Sequence, residues 1–235
     1  MPLDVLAGIA THQGNSMANQ DAILAAEDLF AVADGIGGLQ DGEIASRLAV
    51  ETLDAAFATD HSASGLLAAC REANGAVWRQ GTSQGTDPTM GTTLATVAIT
   101  TDAGMMVVHA GDSRVYRFRD GRLDRLTNDH TVTADLIRAG KLTDQDASAH
   151  PHRYVLTRAL GVGPAVEFDH AGASCQAGDL FLLCTDGLTK TLTDDGITTV
   201  LATTTEAQES AGRLVAAAVD NGAEDDVAVL VVAVH

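Results

Sequence analysis

The sequence predicts an α+β fold in which layered antiparallel sheets are covered by helices. Short hydrophobic runs, rich in β-branched residues and bounded by Gly and Asp, recur along the chain, as in antiparallel strands joined by turns. Between groups of these runs lie longer segments whose apolar residues repeat about every 3.6 positions, as in helices that cover a sheet. With 235 residues, 46% of them hydrophobic, the chain is long enough to bury a sizeable core.

Nine hydrophobic runs are predicted to be strands because turn residues bound each of them. They are Val5–His12, Leu29–Ala33, Thr93–Thr100, Met105–Ala110, Val115–Arg119, Arg122–Leu126, Val166–Ala171, Leu180–Cys184 and Val227–Val234. Asp120 and Gly121 separate the fifth run from the sixth, and an Asp-Gly pair at that place predicts a hairpin turn.

Four segments are predicted to be helices because their apolar residues fall on one face. Gly140 and Gly222 follow two of them and are typical of helix ends. The segments are Glu43–Thr59, Ser64–Arg79, Val132–Ala139 and Glu206–Asp220. No Pro- or Ser-rich linker divides the chain, which contains only four prolines, so we predict one domain over residues 1–235.

Composition and charge exclude several classes of protein. No apolar run approaches the roughly 18–20 residues that span a bilayer, and no signal-peptide pattern precedes the first predicted strand, so a cytoplasmic location is expected. The chain has 32 Asp and Glu against 14 Lys and Arg, a formal net charge of −18, without a basic cluster; nucleic acid and anionic membranes are therefore not expected partners. Cys70, Cys175 and Cys184 lie apart in apolar segments and are expected to be buried, reduced thiols.

Aspartates stand at the ends of several apolar runs. Asp34, Asp112 and Asp186 follow such runs, whereas Asp21 and Asp225 precede them. Carboxylates that converge on one rim repel each other unless cations lie between them, and all-oxygen ligands suit Mg²⁺, Mn²⁺ or Ca²⁺. Two such ions can clamp the attacking and leaving oxygens of a phosphoryl transfer. The alternative for any single Asp-Gly pair is an ordinary turn.

These aspartates lie within a longer series of motifs. In order, the motifs are Asn19-Gln20-Asp21, Val32-Ala33-Asp34-Gly35-Ile36-Gly37-Gly38, Gly42-Glu43-Ile44-Ala45-Ser46, Met90-Gly91-Thr92-Thr93, His109-Ala110-Gly111-Asp112-Ser113-Arg114-Val115-Tyr116, Leu126-Thr127-Asn128-Asp129-His130, Leu156-Thr157-Arg158-Ala159-Leu160-Gly161, Leu183-Cys184-Thr185-Asp186-Gly187-Leu188 and Asp225-Asp226-Val227-Ala228-Val229. With this series the chain resembles the catalytic domain of the metal-dependent protein phosphatases (the PPM family, type 2C serine/threonine phosphatases) in its compact bacterial form.

The resemblance implies a four-layer α-β-β-α sandwich of two antiparallel sheets flanked by helices. It also implies hydrolysis of phosphoserine and phosphothreonine in proteins by direct attack of a metal-activated water, without a covalent phosphoenzyme. The implied cofactors are two core ions of Mn²⁺ or Mg²⁺ and a third, weaker one. The implied partners are a phosphorylated protein substrate and a serine/threonine kinase that phosphorylates it, and we expect a monomer.

The resemblance also assigns roles to the aspartates. It implies that Asp34 bridges the two core metals, that the Gly35 carbonyl is a further ligand, and that Asp186 and Asp225 complete one metal site. Asp21 is implied to act mainly through metal-bound water. The catalytic set is therefore Asp21, Asp34, Asp186 and Asp225. Asp112, with Asp186, resembles the pair that holds the third metal, and Gly37 and Gly38 are expected to let the loop fold under the site.

Three positions depart from the family pattern. Ser16 stands where the family has an Arg that grips the substrate phosphate, so we expect phosphate binding weaker by about 1–3 kcal/mol unless another cation enters the site. Leu39 stands where bacterial members commonly have a His near the site, and leucine cannot transfer a proton. If that His acts as an acid in relatives, this chain must use water or another group; His109 and His130 are candidates only because they lie near the motifs in sequence. Asp226 replaces an Asn and adds negative charge beside the last metal ligand.

The segment 131–154 falls where the family has a flap beside the site. Arg153 or Arg158 is a candidate contact for the phosphoprotein, whereas Arg114 is expected to form a structural ion pair. Because Ser16 and Leu39 depart from the family pattern, a pseudo-phosphatase that only binds phosphoproteins stays open as an alternative. A hydrolase for a small phosphorylated metabolite is a further alternative.

Overall fold

The fold was derived from a computed structural model that describes residues 4–36, 39, 41–83, 85 and 87–235. In chain order the strands are β1 (Val5–His12), β2 (Asp21–Ala25), β3 (Leu29–Asp34), β4 (Leu94–Thr100), β5 (Gly104–Ala110), β6 (Arg114–Arg119), β7 (Arg122–Arg125), β8 (Asp169–Ala173), β9 (Leu180–Cys184) and β10 (Val227–Val234). They form two antiparallel five-stranded sheets, with orders β1-β10-β9-β6-β7 and β2-β3-β4-β5-β8.

Seven helices lie within the described ranges. They are α1 (Gly42–Phe57), α2 (Ala63–Gly81), α3 (Val132–Arg138), α4 (Asp144–Ala147), α5 (Asp186–Thr191), α6 (Asp194–Leu201) and α7 (Ala207–Asp220). Among the residues that the structure covers, no helix is both long and apolar enough to cross a membrane.

Three hydrophobic layers hold the molecule together, because each sheet is apolar on both faces. Between the sheets, Phe30 and Val32 of one pack with Phe181 and Leu230 of the other. The outer face of the β2–β8 sheet packs against α1 and α2, and that of the β1–β7 sheet packs against α5, α6 and α7. The layers confirm the expected four-layer α-β-β-α sandwich.

The structure differs from the sequence prediction in several elements. β2 was not predicted as a strand, because its five residues carry a single β-branched side chain. All five residues pair with β3, and this pairing holds β2 in the sheet. β8 begins at Asp169 rather than Val166, since its register is set by β5. The short helices α4, α5 and α6 were also missed, because four to eight residues hardly show a helical period.

Candidate metal centre

Five aspartates meet at one end of the sandwich, and we call this group the carboxylate rim: Asp21, Asp34, Asp112, Asp186 and Asp225. Asp21 begins β2 and Asp34 ends β3, and the two are direct partners in the strand register. Asp112 follows the end of β5. The other sheet contributes Asp186, directly after β9 at the start of α5, and Asp225, just before β10. Strand ends from both sheets therefore present carboxylates to one place.

A cleft of about 560 Å³ opens over the rim. Asp34, Asp112, Asp186 and Asp225 line it. Asp21 instead lines a neighbouring depression and is connected to the rim from behind, where its Oδ2 accepts a hydrogen bond of 2.8 Å from the Thr185 hydroxyl. The sequence prediction thus named five aspartates that the fold brings together, four of them facing the open cleft.

Burial and mutual repulsion disfavour the ionised form of the rim carboxyls. Burial, together with the neighbouring aspartates, raises the pKa of Asp21 to about 8. Burial and the Asp186 carboxylate raise the pKa of Asp112 to about 7. The pKa of Asp34 is raised well above its ordinary value by burial and by four rim neighbours. Without added positive charge, this site therefore favours protonated carboxyls at neutral pH.

Two oxygen atoms of the rim lack a hydrogen-bond partner although they are buried. They are Oδ1 of Asp21 and Oδ1 of Asp186. Buried polar atoms are nearly always paired in proteins, and an unpaired carboxylate oxygen is costly. The donor set is made entirely of oxygens, which suits Mg²⁺ and Mn²⁺ and does not suit zinc or copper. The residues present therefore fit divalent cations.

One side chain supplies positive charge to the rim in the part of the chain that the structure describes. Lys190 lies one helical turn after Asp186, and its Nζ is 2.6 Å from Asp186 Oδ2 and 2.7 Å from Asp225 Oδ2. Although burial opposes its charge, the two carboxylates raise the pKa of Lys190 above its ordinary value. One ammonium group cannot compensate five carboxylates.

Hydroxyl groups beneath the rim hold its aspartates in position. The Asp34 N–H donates to the Thr93 hydroxyl at 2.9 Å, and that oxygen lies 2.7 Å from the Ser113 hydroxyl. Thr185 donates to Asp21 and accepts from the N–H of Ala228. The sequence prediction gave these residues no role, although each lies next to an aspartate or in a quoted motif. A buried hydroxyl beside a rim aspartate is the signal that could have identified them.

Gly35 is required by a close approach of two backbones. A Cβ on Gly35 would lie 2.4 Å from the Gly42 carbonyl carbon, at the start of α1. The glycine therefore lets α1 pack directly behind the end of β3. The role expected of Gly37 and Gly38 lies outside the described residues.

Comparison with known proteins identifies the family. The family model described as "Protein phosphatase 2C" matches residues 10–220 of the 235. The chain belongs to the protein phosphatase 2C family. The matched range contains every rim carboxylate except Asp225, which follows it by five residues.

Curated relatives and solved structures are similar over most of this chain. The serine/threonine protein phosphatase PstP of Mycobacterium tuberculosis is 38% identical over 217 residues, which cover 91% of this chain and 41% of PstP. The chain thus spans about two fifths of that relative's length. The serine/threonine phosphatase stp of Listeria welshimeri is 32% identical, with 88% of this chain and 84% of stp covered.

Two solved structures share the fold. The PPM Ser-Thr phosphatase MsPP from Mycobacterium smegmatis, in complex with cacodylate, is 40% identical with a TM-score of 0.89, and 98% of each chain is covered. The catalytic domain of PstP, in complex with two manganese ions, is 33% identical with a TM-score of 0.84, and 99% of each chain is covered.

Two departures from the pattern of the type 2C family lie near the site. Ser16 lines the cleft and is exposed. Leu39 is half-buried, and its N–H donates to the Ile36 carbonyl. Neither side chain carries a charge that could contact a phosphate.

Asp226 has a structural contact that the sequence did not reveal. Its Oδ1 accepts from the N–H of Gly14 at 2.9 Å, and its Oδ2 accepts from the N–H of Gln20 at 2.7 Å. The side chain is buried at the start of β10. Asp226 therefore fastens the loop between β1 and β2, which carries Ser16 and leads to Asp21, and it adds to the repulsion on Asp21.

His109 and His130 lie in a second polar cluster, with Asp169 and Arg158, which we call the histidine group. The two imidazole rings are stacked, with centroids 4.6 Å apart, and burial lowers the pKa of each. Arg158 is the member that lines the cleft, and its Nη1 is 2.6 Å from Asp169 Oδ1. The histidines pack behind this arginine, whereas Arg153 is exposed and lies over the Tyr154 ring.

Two further expectations concern side chains away from the cleft. Arg114 forms the expected ion pair, with two hydrogen bonds to Asp129 at 3.1 and 2.8 Å. The three cysteines are free, as expected. Cys70 and Cys184 are buried, but the expectation was wrong for Cys175, which is partly exposed because it lies in the turn between β8 and β9.

Proposed function

We propose that this protein hydrolyses phosphoserine and phosphothreonine in proteins with the help of Mn²⁺ or Mg²⁺. The observation that carries the proposal is the carboxylate rim, in which five aspartates converge, four of them line an open cleft, and two buried carboxylate oxygens have no partner. A module that only binds phosphoproteins gains nothing from such a costly arrangement, so the rim favours catalysis over the pseudo-phosphatase alternative.

The residues of the rim would share two core cations. Asp34 would be shared by both ions, the Gly35 carbonyl would be a further ligand, and Asp186 and Asp225 would complete one of the two sites. Asp21 would act through an intervening water, and Asp112, with Asp186, would hold a third ion. When bound, these cations would neutralise the charge on the phosphoryl oxygens and make a water acidic enough to attack phosphorus.

The chain's own residues orient this chemistry. Thr93 holds the backbone of Asp34, and Thr185 holds the carboxylate of Asp21, so both stay in place without substrate. Tyr154, Val155 and Val162 contribute apolar side chains to the lining of the cleft. The reaction cleaves the bond between phosphorus and the side-chain oxygen: water adds to phosphorus, and the serine or threonine oxygen leaves with a proton.

The comparisons support manganese in this role, because the PstP catalytic domain was solved with two manganese ions. We further propose that residues 1–235 form one catalytic domain and that 131–154, which carries α3 and α4 beside Asp112 and Lys190, is a flap over the site. We also propose a monomer whose partners are a phosphoprotein and its kinase, with no role for nucleic acid or membranes. The free cysteines support a reducing, cytoplasmic location.

A phosphatase assay tests the proposal. A phosphoserine or phosphothreonine peptide should be hydrolysed with Mn²⁺ and should remain intact when a chelator is added. Turnover of the peptide should exceed that of p-nitrophenyl phosphate and small phosphorylated metabolites in kcat/KM. Peptide binding without turnover at any Mn²⁺ concentration would establish the binding module instead, and a preference for a metabolite would establish the third alternative.

A further inference from the structure

Lys190 lines the cleft and contacts two carboxylates of the rim. It sits four residues after Asp186 on α5, on the same face of the helix. Its ammonium group connects Asp186 to Asp225, two rim carboxylates that come from different segments of the chain. The side chain is 27% exposed, so it is reached from the cleft as well as from the rim.

The other cation that lines the cleft is already engaged. Arg158 pairs with Asp169 at 2.6 Å and with Glu167 at 3.3 Å. Ser16, which stands where the family has its phosphate-gripping arginine, has no charge. Of the residues that the structure describes around the cleft, Lys190 is thus the cation placed directly on the rim.

Lys190 and divalent cations need the same atoms. Oδ2 of Asp186 and Oδ2 of Asp225 are both within hydrogen-bonding distance of Nζ, and both residues belong to the proposed metal ligands. Cations bound there would weaken the hold of the carboxylates on the ammonium group. A lysine has a flexible stem with four carbons and three rotatable donors, so it can change partners without moving the helix.

The surroundings provide a second position for the ammonium group. The Tyr154 ring centroid lies 4.9 Å from Nζ, and Tyr154 lines the same cleft. A ring face at this distance attracts a cation even when its carboxylate partners are withdrawn. The released lysine would therefore remain at the cleft, where a substrate phosphate would be the strongest available partner.

We propose that Lys190 has two alternative partners: it pairs with Asp186 and Asp225 when the rim lacks divalent cations, and it binds the substrate phosphate when the rim holds them. This inference rests on the proposed function. In it, Lys190 supplies the positive charge that Ser16 lacks. It predicts opposite effects of one substitution, because removing the lysine removes a competitor of the metal and a ligand of the phosphate.

Calorimetry on the whole chain tests both effects without measuring activity. In Lys190→Met, the Kd for Mn²⁺ should fall about tenfold relative to wild type, whereas the Kd of the Mn²⁺-saturated protein for inorganic phosphate should rise about tenfold. Lys190→Gln, which keeps a polar group, should behave in the same direction. Lys190→Arg should retain phosphate binding within about threefold of wild type.

Arg71→Met is the control variant. Arg71 is an exposed cation on α2, outside the cleft and outside the proposed flap, so both dissociation constants should equal those of wild type. The inference is overturned if Lys190→Met and Lys190→Gln bind Mn²⁺ more weakly than wild type, or if their phosphate affinity is unchanged. If the Lys190 variants change both dissociation constants as expected but the wild-type protein hydrolyses no phosphopeptide, the proposed function is overturned. The two alternative partners of Lys190 would still be supported.

Discussion

The carboxylate rim and the histidine group both gather side chains that could hold a metal, yet they differ in how the protein satisfies them. In the histidine group, one ligand-type atom each from His109, His130 and Asp169 lies within 4.8 Å of the others. In the rim, five carboxylates converge with one lysine, and two of their oxygens have no partner.

The protein itself satisfies the histidine group. The His109 Nε2 lies 2.9 Å from the Asn128 carbonyl oxygen, to which it donates. The His130 Nδ1 accepts from the N–H of Gly111 at 3.2 Å, so its proton is on Nε2, which faces Asp169. Arg158 supplies the positive charge for Asp169. Closeness of ligand atoms is therefore a weaker indication of a metal than buried oxygens that no protein group satisfies.

The largest expected difference between the two regions is in catalysis. Asp34→Asn should lower kcat for a phosphopeptide by about 10³-fold or more, because Asp34 is assigned to both core cations. His109→Gln, which retains a donor for Asn128, should change kcat by no more than about threefold. Steady-state kinetics with saturating Mn²⁺ checks both variants.

Thermal unfolding provides the control for this pair. Without metal, Asp34→Asn should be at least as stable as wild type, since a neutral amide replaces a carboxyl whose charged form is disfavoured by burial and by the neighbouring aspartates. If Asp34→Asn is inactive because it is unfolded, or if His109→Gln loses as much activity as Asp34→Asn, the two regions do not differ in the way described.

The second largest expected difference between the two regions is in how much Mn²⁺ stabilises the protein when one or the other is altered. Mn²⁺ at about 100 times its Kd should stabilise the wild-type protein by about 2.7 kcal/mol, because cations relieve the repulsion in the rim. His109→Gln should gain as much stability as wild type, and Asp34→Asn should gain much less. Chemical denaturation with and without Mn²⁺ measures these gains. Equal stabilisation of both variants would place the cation outside the rim.

Asp169 has a fixed cationic partner in Arg158. The cation at the rim is Lys190, which the inference above assigns to two alternative partners. Ser16→Arg would introduce a further cation at the edge of the cleft and should lower KM for a phosphopeptide about tenfold, on the scale of a hydrogen bond between charged groups. Ser16→Gln, which has similar reach without charge, is the matched control and should leave KM near the wild-type value. An unchanged KM in the arginine variant would show that this position does not meet the phosphate.

The contrast also explains how far the sequence could predict this molecule. The strand β10 and the helix α7 were predicted to within a residue, because β10 is a continuous run of eight apolar residues and α7 has a strong helical period. The aspartates of the rim were predicted because each stands at the end of an apolar run. Thr185 and Asp226 were not assigned their contacts, since those depend on which backbone N–H groups the folded chain brings to them.

The smallest expected difference concerns pH. Burial lowers the pKa of His109 and His130 in the folded protein, below the ordinary value of 6.5. The folded state then binds fewer protons than the unfolded state, so the stability that neutral histidines contribute is present above pH 6.5 and is lost as the pH falls through their lowered pKa values. Besides the other histidine, the charged groups that face this pair are Asp129, Asp169, Arg125 and Arg158.

The variant His109→Gln isolates this effect from the titration of the rim. Its free energy of unfolding should fall less than that of wild type between pH 7 and pH 5, because one of the two buried titrating groups is gone and the rim is unchanged. Denaturation curves of both proteins at each pH, in the same metal-free buffer, give the difference directly. A difference that stays constant over this range would mean that burial does not lower the pKa of His109 and that this histidine does not contribute to the pH dependence of stability.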